Sequence, residues 1–293
     1  MFDGFETRRV TTSAAEIHFR LGGNGPPLLL LHGYPQTHVM WHRVAPHLAE
    51  RFTVVAADLR GYGDSAKPES DPAHATYSKR AMARDQVEVM SSLGFERFAV
   101  VGHDRGGRVT HRMALDHPER VERAAVLDIC PTLAMYEATD MAFASGYYHW
   151  FFLIQPYDLP ERLIAADPDF YLESKTGGFG LGPRKAVAET FDPEALAEYK
   201  RCFRDPAAIH ASCEDYRAAA TIDLEHDRAD LGRKIACPLM ALWGAQGLVG
   251  QLFDVLGLWR ERADDVTGRS IDCGHYLAEE APADTLAALQ AFL

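Results

Sequence analysis

The run Val101-Gly102-His103-Asp104-Arg105-Gly106-Gly107 constrains this chain more than any other segment. The apolar stretch Phe98-Ala99-Val100-Val101 before it reads as a short buried strand, and Arg108 to His117 after it reads as a helix. Glycines at 102, 106 and 107 let the backbone turn sharply and pack closely between the two. Strand, tight glycine turn and helix in that order belong to a parallel sheet. They place the central residue, Asp104, at the carboxyl end of a strand, where ligands bind in such sheets.

The identity of that central residue sets the chemistry. A serine there must lose a proton to a base before it attacks. An aspartate near its ordinary pKa is already an anion at neutral pH. It can displace a leaving group from a saturated carbon, forming an ester on its own carboxylate that a base-activated water then cleaves. No G-x-S-x-G occurs anywhere in the chain. The alternative for Asp104 is a turn aspartate that caps the following helix.

Short apolar strands also read at Leu28–Leu31, Phe52–Ala57, Ala124–Leu127 and Pro238–Trp243, with Ser270-Ile271 ending a last one. Tyr77–Leu93, Gln251–Arg260 and Ala283–Leu293 read as helices. This alternation predicts an α/β fold, a mostly parallel central sheet flanked by helices on both faces. From about Thr132 to Arg233 the pattern is helical, rich in aromatic clusters and without a clear strand. The expected division is a core of residues 1–131 and 233–293 and an inserted helical cap of residues 132–232. A chain of 293 residues, 47% hydrophobic and 25% charged, is long enough for both.

A net charge of −12 and the lack of a basic run speak against nucleic-acid binding. No stretch approaches the ~20 apolar residues of a membrane helix, and Met1 to Arg9 lacks the apolar core of a signal peptide. The five cysteines are scattered with no C-x-x-C pair, which argues against a zinc site or disulfide framework and for a reducing cytoplasm. No spacing suggests a metal, and no cofactor is expected.

An aspartyl ester needs a base for its hydrolysis. His275, in a Gly-His turn after the last strand, is the leading candidate; its alternative is a surface histidine. The carboxylate that orients it is Asp128 by elimination, since the turn Gly244-Ala245-Gln246-Gly247-Leu248 holds no acid. Asp128 otherwise reads as a strand-end turn residue. The backbone N–H groups of Tyr34 and Arg105 are placed for an oxyanion hole. Arg105 and Arg108 stand three apart at a helix N-terminus, where the dipole disfavours cations. A bound carboxylate would resolve that conflict, as would an internal ion pair with a cap acid. Arg112 reads as structural. In Tyr147-Tyr148-His149-Trp150-Phe151-Phe152 the N–H donors of His149 and Trp150 suit a departing halide, with cap-core packing as the alternative. Tyr216, in Glu214-Asp215-Tyr216-Arg217, could add its hydroxyl.

Taken together, His32-Gly33-Tyr34-Pro35-Gln36, Asp58-Leu59-Arg60-Gly61-Tyr62-Gly63, Gly102-His103-Asp104-Arg105-Gly106-Gly107-Arg108, Tyr148-His149-Trp150, Cys213 to Ala218 and Gly274-His275 resemble the haloacetate (fluoroacetate) dehalogenases of the α/β-hydrolase superfamily. The Gly-His-Asp element alone is shared with haloalkane dehalogenases and epoxide hydrolases, which typically carry tryptophan after the aspartate, where this chain has Arg105. The resemblance implies Asp104 as nucleophile, His275 as base and Asp128 as its partner. It also implies Arg105 and Arg108 on the substrate carboxylate, His149, Trp150 and Tyr216 on the halide, and a possible homodimer. Two positions depart from the family: Tyr34 where phenylalanine is common, and Phe179 where tryptophan is expected. Both bear on pocket size and halide preference. The expected reaction is cofactor-independent hydrolysis of a small haloacid such as fluoroacetate or chloroacetate to glycolate and halide. One rival is an epoxide hydrolase using the same aspartyl ester, with Tyr147, Tyr148 or Tyr216 as proton donor. The other is a small-molecule receptor on a hydrolase fold.

Overall fold

The computed structural model describes residues 1–177 and 187–293. Eight strands form one sheet: β1 (Glu6–Thr11), β2 (Glu16–Gly22), β3 (Pro27–Leu31), β4 (Thr53–Ala57), β5 (Phe98–His103), β6 (Val121–Leu127), β7 (Leu239–Gly244) and β8 (Val266–Ile271). Their spatial order is β1-β2-β4-β3-β5-β6-β7-β8; β1, β2 and β4 pair antiparallel and every other pair is parallel. Leu28–Leu31, Val54–Ala57 and Ala124–Leu127 are wholly buried. This is why they read as unbroken apolar runs: a parallel strand is covered on both faces.

The hairpin β1–β2 was not expected. Its outer strand, Glu-Thr-Arg-Arg-Val-Thr, lies at the sheet edge and is mostly exposed, so it carries little hydrophobic signal. The alternation Ile17, Phe19, Leu21 on β2 was the available clue.

The helix Lys79–Ser92 (α1) starts at Ser78, whose hydroxyl accepts from the Ala81 N–H. The helix Arg105–Asp116 (α2) begins three residues earlier than its composition suggested, because the glycine turn is itself its first turn. Between β6 and β7 the described residues form helices and loops, including Tyr148–Leu153 (α3), Pro168–Thr176 (α4), Pro193–Phe203 (α5) and Pro206–Ala220 (α6). Three of these start at Asp-Pro: Asp167, Asp192 and Asp205 each cap with a side-chain oxygen while proline occupies the first helical position. The segment expected as one helix over Gln251–Arg260 is two, Leu248–Leu252 and Val255–Arg260, because Asp254 starts a second helix by capping Gly257. The chain closes with Leu277–Glu280 (α7) and Pro282–Phe292 (α8).

Register brings the loops together. Leu31 of β3 pairs with Gly102 of β5, and His103 of β5 with Leu127 of β6. The residues just beyond these pairs, His32-Gly33-Tyr34, Asp104 and Asp128, therefore leave neighbouring strands side by side. The chain fills the sheet in opposite directions from β3, so this is the point where a crevice opens.

Candidate active site

Asp104 sits between β5 and α2 at φ 45°, ψ −112°, a conformation that side-chain-bearing residues avoid. Its backbone is held from three sides. Its N–H donates to the Leu127 carbonyl (3.1 Å), its carbonyl accepts from the Arg108 N–H (3.1 Å), and the Gly106 N–H donates to the His32 carbonyl (2.9 Å). Gly33 packs directly on it: a Cβ there would lie 2.5 Å from the Asp104 Cβ. That approach brings the Tyr34 N–H to 2.9 Å from Asp104 Oδ2. The Arg105 N–H, first in its helix, has no intrahelical acceptor. Burial alone would raise the Asp104 pKa. The charges of His275, Arg108 and Arg105 outweigh it and hold the carboxyl below the usual carboxylate range.

Asp128 also has positive φ, 52°. Its Oδ1 accepts from the Gly244 N–H at 2.9 Å, and its Oδ2 lies 2.6 Å from His275 Nδ1. Burial and nearby Lys175 pull the His275 pKa down, but the hydrogen bond and charge of Asp128, with Asp104 adding, push it above 6.5. His103 packs against the same ring, with centroids 4.5 Å apart. Burial, helped by His275, lowers its pKa to about 3, so it is neutral and its Nε2–H donates to the His275 carbonyl at 2.8 Å.

The two arginines, alike in sequence, differ in surroundings. Arg105 is paired internally: Nε and Nη2 reach the Asp215 carboxylate at 2.9 and 2.6 Å, and its guanidinium lies 4.1 Å from the Tyr216 ring centre. Asp215 also takes the Lys79 ammonium and the Tyr62 hydroxyl. Of the Arg105 guanidinium nitrogens, Nη1 lacks a partner among the described residues. Arg108 is 3% exposed and has no carboxylate within ion-pair distance among the described residues. It donates to the Cys130 carbonyl (3.2 Å), Thr132 Oγ1 (2.9 Å) and the Met135 sulfur (3.4 Å), packs over Trp150 at 4.6 Å, and leaves Nε without a partner among the described residues. Burial and Arg105 lower its pKa. Arg112, one turn further along α2, is bound to Asp116 (2.5 Å) and Asp230 (2.7 Å).

His149, Trp150 and Tyr216 come together above these guanidinium groups. His149 and Tyr216 ring centres are 5.6 Å apart, Trp150 and Tyr216 6.5 Å, and Tyr34 lies 5.3 Å from Tyr216. Burial, then the surrounding cations Lys175, Arg105 and Arg108 together with His275, pushes the His149 pKa well down, and its Nδ1 has no partner among the described residues. Phe179 lies outside the described residues. Sequence reasoning missed Asp215 and Lys79; Asp215 stands beside Tyr216, but nothing local marks it as the partner of Arg105. Among the described residues one group, His18, His38 and Asp58, has metal-compatible spacing. Its carboxylate already accepts from both imidazole Nδ1 atoms (2.8 and 2.9 Å) and from the His38 and Asp64 N–H groups (2.8 and 3.1 Å), so hydrogen bonding accounts for it.

A family model for the alpha/beta hydrolase fold matches residues 26–282. The chain belongs to the α/β-hydrolase family. This hydrolase is 52% identical to a fluoroacetate dehalogenase of Burkholderia sp, over 100% of this chain and 95% of that one. It is 36% identical to a soluble epoxide hydrolase of Corynebacterium sp. (strain C12), covering 91% of this hydrolase and 89% of the relative. A solved structure of a protein from Nostoc sp PCC 7120 superposes with a TM-score of 0.95 at 61% identity, covering 100% and 99% of the two chains. No helix among the described residues is long and apolar enough to cross a membrane.

Proposed function

We infer that this hydrolase is a haloacetate dehalogenase. Its carbon–halide chemistry is supported by full-length likeness to a fluoroacetate dehalogenase. The observation that carries the reading is Arg108, a buried guanidinium four residues from Asp104 with no carboxylate of its own among the described residues. A haloacetate would supply that carboxylate and set its α-carbon beside the Asp104 carboxyl group. Asp104 Oδ1 attacks the α-carbon in line and the carbon–halogen bond breaks. The halide leaves toward His149, Trp150 and Tyr216, and a glycolyl ester remains on Asp104. His275 Nε2 then takes a proton from water, whose oxygen attacks the ester carbonyl carbon. Oδ2, now the carbonyl oxygen, becomes the oxyanion at the Tyr34 N–H. Collapse breaks the acyl C–O bond, the His275 imidazolium, stabilised by Asp128, gives its proton to the departing glycolyl oxygen, glycolate leaves, and the regenerated Asp104 carboxyl loses the remaining proton to solvent.

Epoxide hydrolysis by the same ester is the second reading, favoured by the Corynebacterium relative. An epoxide would leave Arg108 without an anion. The five cysteines form no disulfide, which supports the proposed reducing cytoplasm. Exposed Leu159, Leu163 and Phe170 support a proposed homodimer through the cap, which sedimentation velocity reads directly. The test of function is ion-electrode detection of fluoride from fluoroacetate and chloride from chloroacetate, with Asp104→Ala as control. His275→Ala should release one halide per site and retain one glycolyl group by intact mass. Absence of both ions from the unaltered enzyme, with turnover of an epoxide, would refute the haloacetate reading.

A further inference from the structure

The loop that carries His275 is fastened by a group outside the triad. Glu280, on α7, accepts from the Gly274 N–H with Oε2 (2.9 Å) and from the Tyr276 N–H with Oε1 (3.0 Å). One carboxylate thus spans His275, binding the residue before it and the residue after it. Between those two bonds the His275 carbonyl is held by His103 Nε2 (2.8 Å), and the ring is held by Asp128 (2.6 Å). Gly274 fits because it packs on that carboxylate: a Cβ there would lie 2.7 Å from Glu280 Oε1.

We propose that Glu280 is a positioning residue for the catalytic base, clasping both N–H groups that flank His275 and so fixing where its imidazole points. Charge-assisted bonds to backbone N–H are stronger than neutral ones, and two on one carboxylate define an orientation as well as a distance. The geometry bears on one half of the reaction. Asp104 is set by α2, Gly33 and Tyr34, none of which Glu280 touches through these bonds, so ester formation is independent of the clasp. Ester hydrolysis needs His275 within hydrogen-bond reach of a water, and a displacement of about 1 Å costs on the order of a hundredfold in rate. The kinetic part of this inference rests on the haloacetate reading.

Glu280→Gln keeps the side chain's size but turns one acceptor into an N–H₂ group that opposes a backbone N–H. The expected result with chloroacetate is a halide burst of one per site at close to the native rate, followed by turnover slowed ten- to a hundredfold, with the glycolyl adduct accumulating by intact mass. A general loss of structure would slow burst and turnover alike, and that result overturns the proposal, as does native turnover. An NMR titration of His275 in the unliganded protein gives a readout that needs no substrate. In Glu280→Gln the His275 pKa should fall toward 6.5 as its bond to Asp128 loosens; an unchanged His275 titration overturns the proposal whatever substrate the enzyme proves to use.

Discussion

Arg105 and Arg108 make opposite predictions although they share a residue type, a helix and near-complete burial. Arg108→Met removes a guanidinium whose folded partners are a carbonyl, a hydroxyl, a thioether sulfur and an aromatic face. Those neutral hydrogen bonds contribute about 1 kcal/mol each. Removing a buried charge that lacks a counter-ion offsets much of that loss, so folding stability should change by less than about 2 kcal/mol. Binding should suffer far more. Truncating one partner of a buried hydrogen-bonded charge pair costs about 2–5 kcal/mol, which is roughly thirtyfold to several-thousandfold in affinity at 1.4 kcal/mol per tenfold. Arg105→Met instead leaves Asp215 with Lys79 and Tyr62 alone, and breaking a buried ion pair costs about 3–5 kcal/mol of stability. The assay is urea unfolding of both variants, with calorimetric titration of chloroacetate into Asp104→Asn carrying each change. If Arg108→Met binds within threefold of its parent, or destabilises the fold as much as Arg105→Met, the assignment of Arg108 as the substrate's counter-ion is wrong.

Two further predictions follow from buried titrating groups. His275 must be neutral to accept a proton, and Asp128 raises its pKa, so kcat limited by ester hydrolysis should fall about tenfold per pH unit once the pH drops below that raised pKa. Ester formation needs only ionised Asp104, so kcat/KM should stay flat until well into the acid range; parallel loss of both parameters near neutrality would show that His275 serves the first step as well. Glu279, facing Gln36 and Tyr199, has its carboxyl pushed up by burial to about 8 from an ordinary 4.5. The folded state then binds a proton that the unfolded chain has lost. Stability should decline between about pH 4.5 and about pH 8, by a few kcal/mol in all. Glu279→Gln should lack this decline in a Tm series, and superimposable Tm–pH curves for the two proteins would count against it.

Much of this site was written into short stretches of chain. Apolar runs bounded by glycine and proline mark the parallel strands because burial on both faces demands them. The residues that end β5 and β6, together with the His275 turn, announced Asp104, Asp128 and His275 because the carboxyl edge of such a sheet is where side chains meet. The hairpin β1–β2 escaped notice because an exposed edge strand has no need of an apolar pattern. The break at Phe253-Asp254 escaped because periodicity alone does not reveal where a cap starts a second helix.

The sequence by itself determined the chemical type: an aspartate in a glycine turn, with no serine to take its place, commits the chain to an ester on its own carboxylate. Glycine and aspartate act there through backbone conformation and covalent identity, which are local properties. Tertiary structure alone decided which arginine is occupied. Asp215 stands 110 positions beyond Arg105 and reaches it through the packing of α6 on the crevice, while Arg108, one helical turn further on, meets a carbonyl, a hydroxyl, a thioether sulfur and an indole but no carboxylate among the described residues. An ion pair needs two side chains within a few ångströms, and distance along the chain carries no record of that.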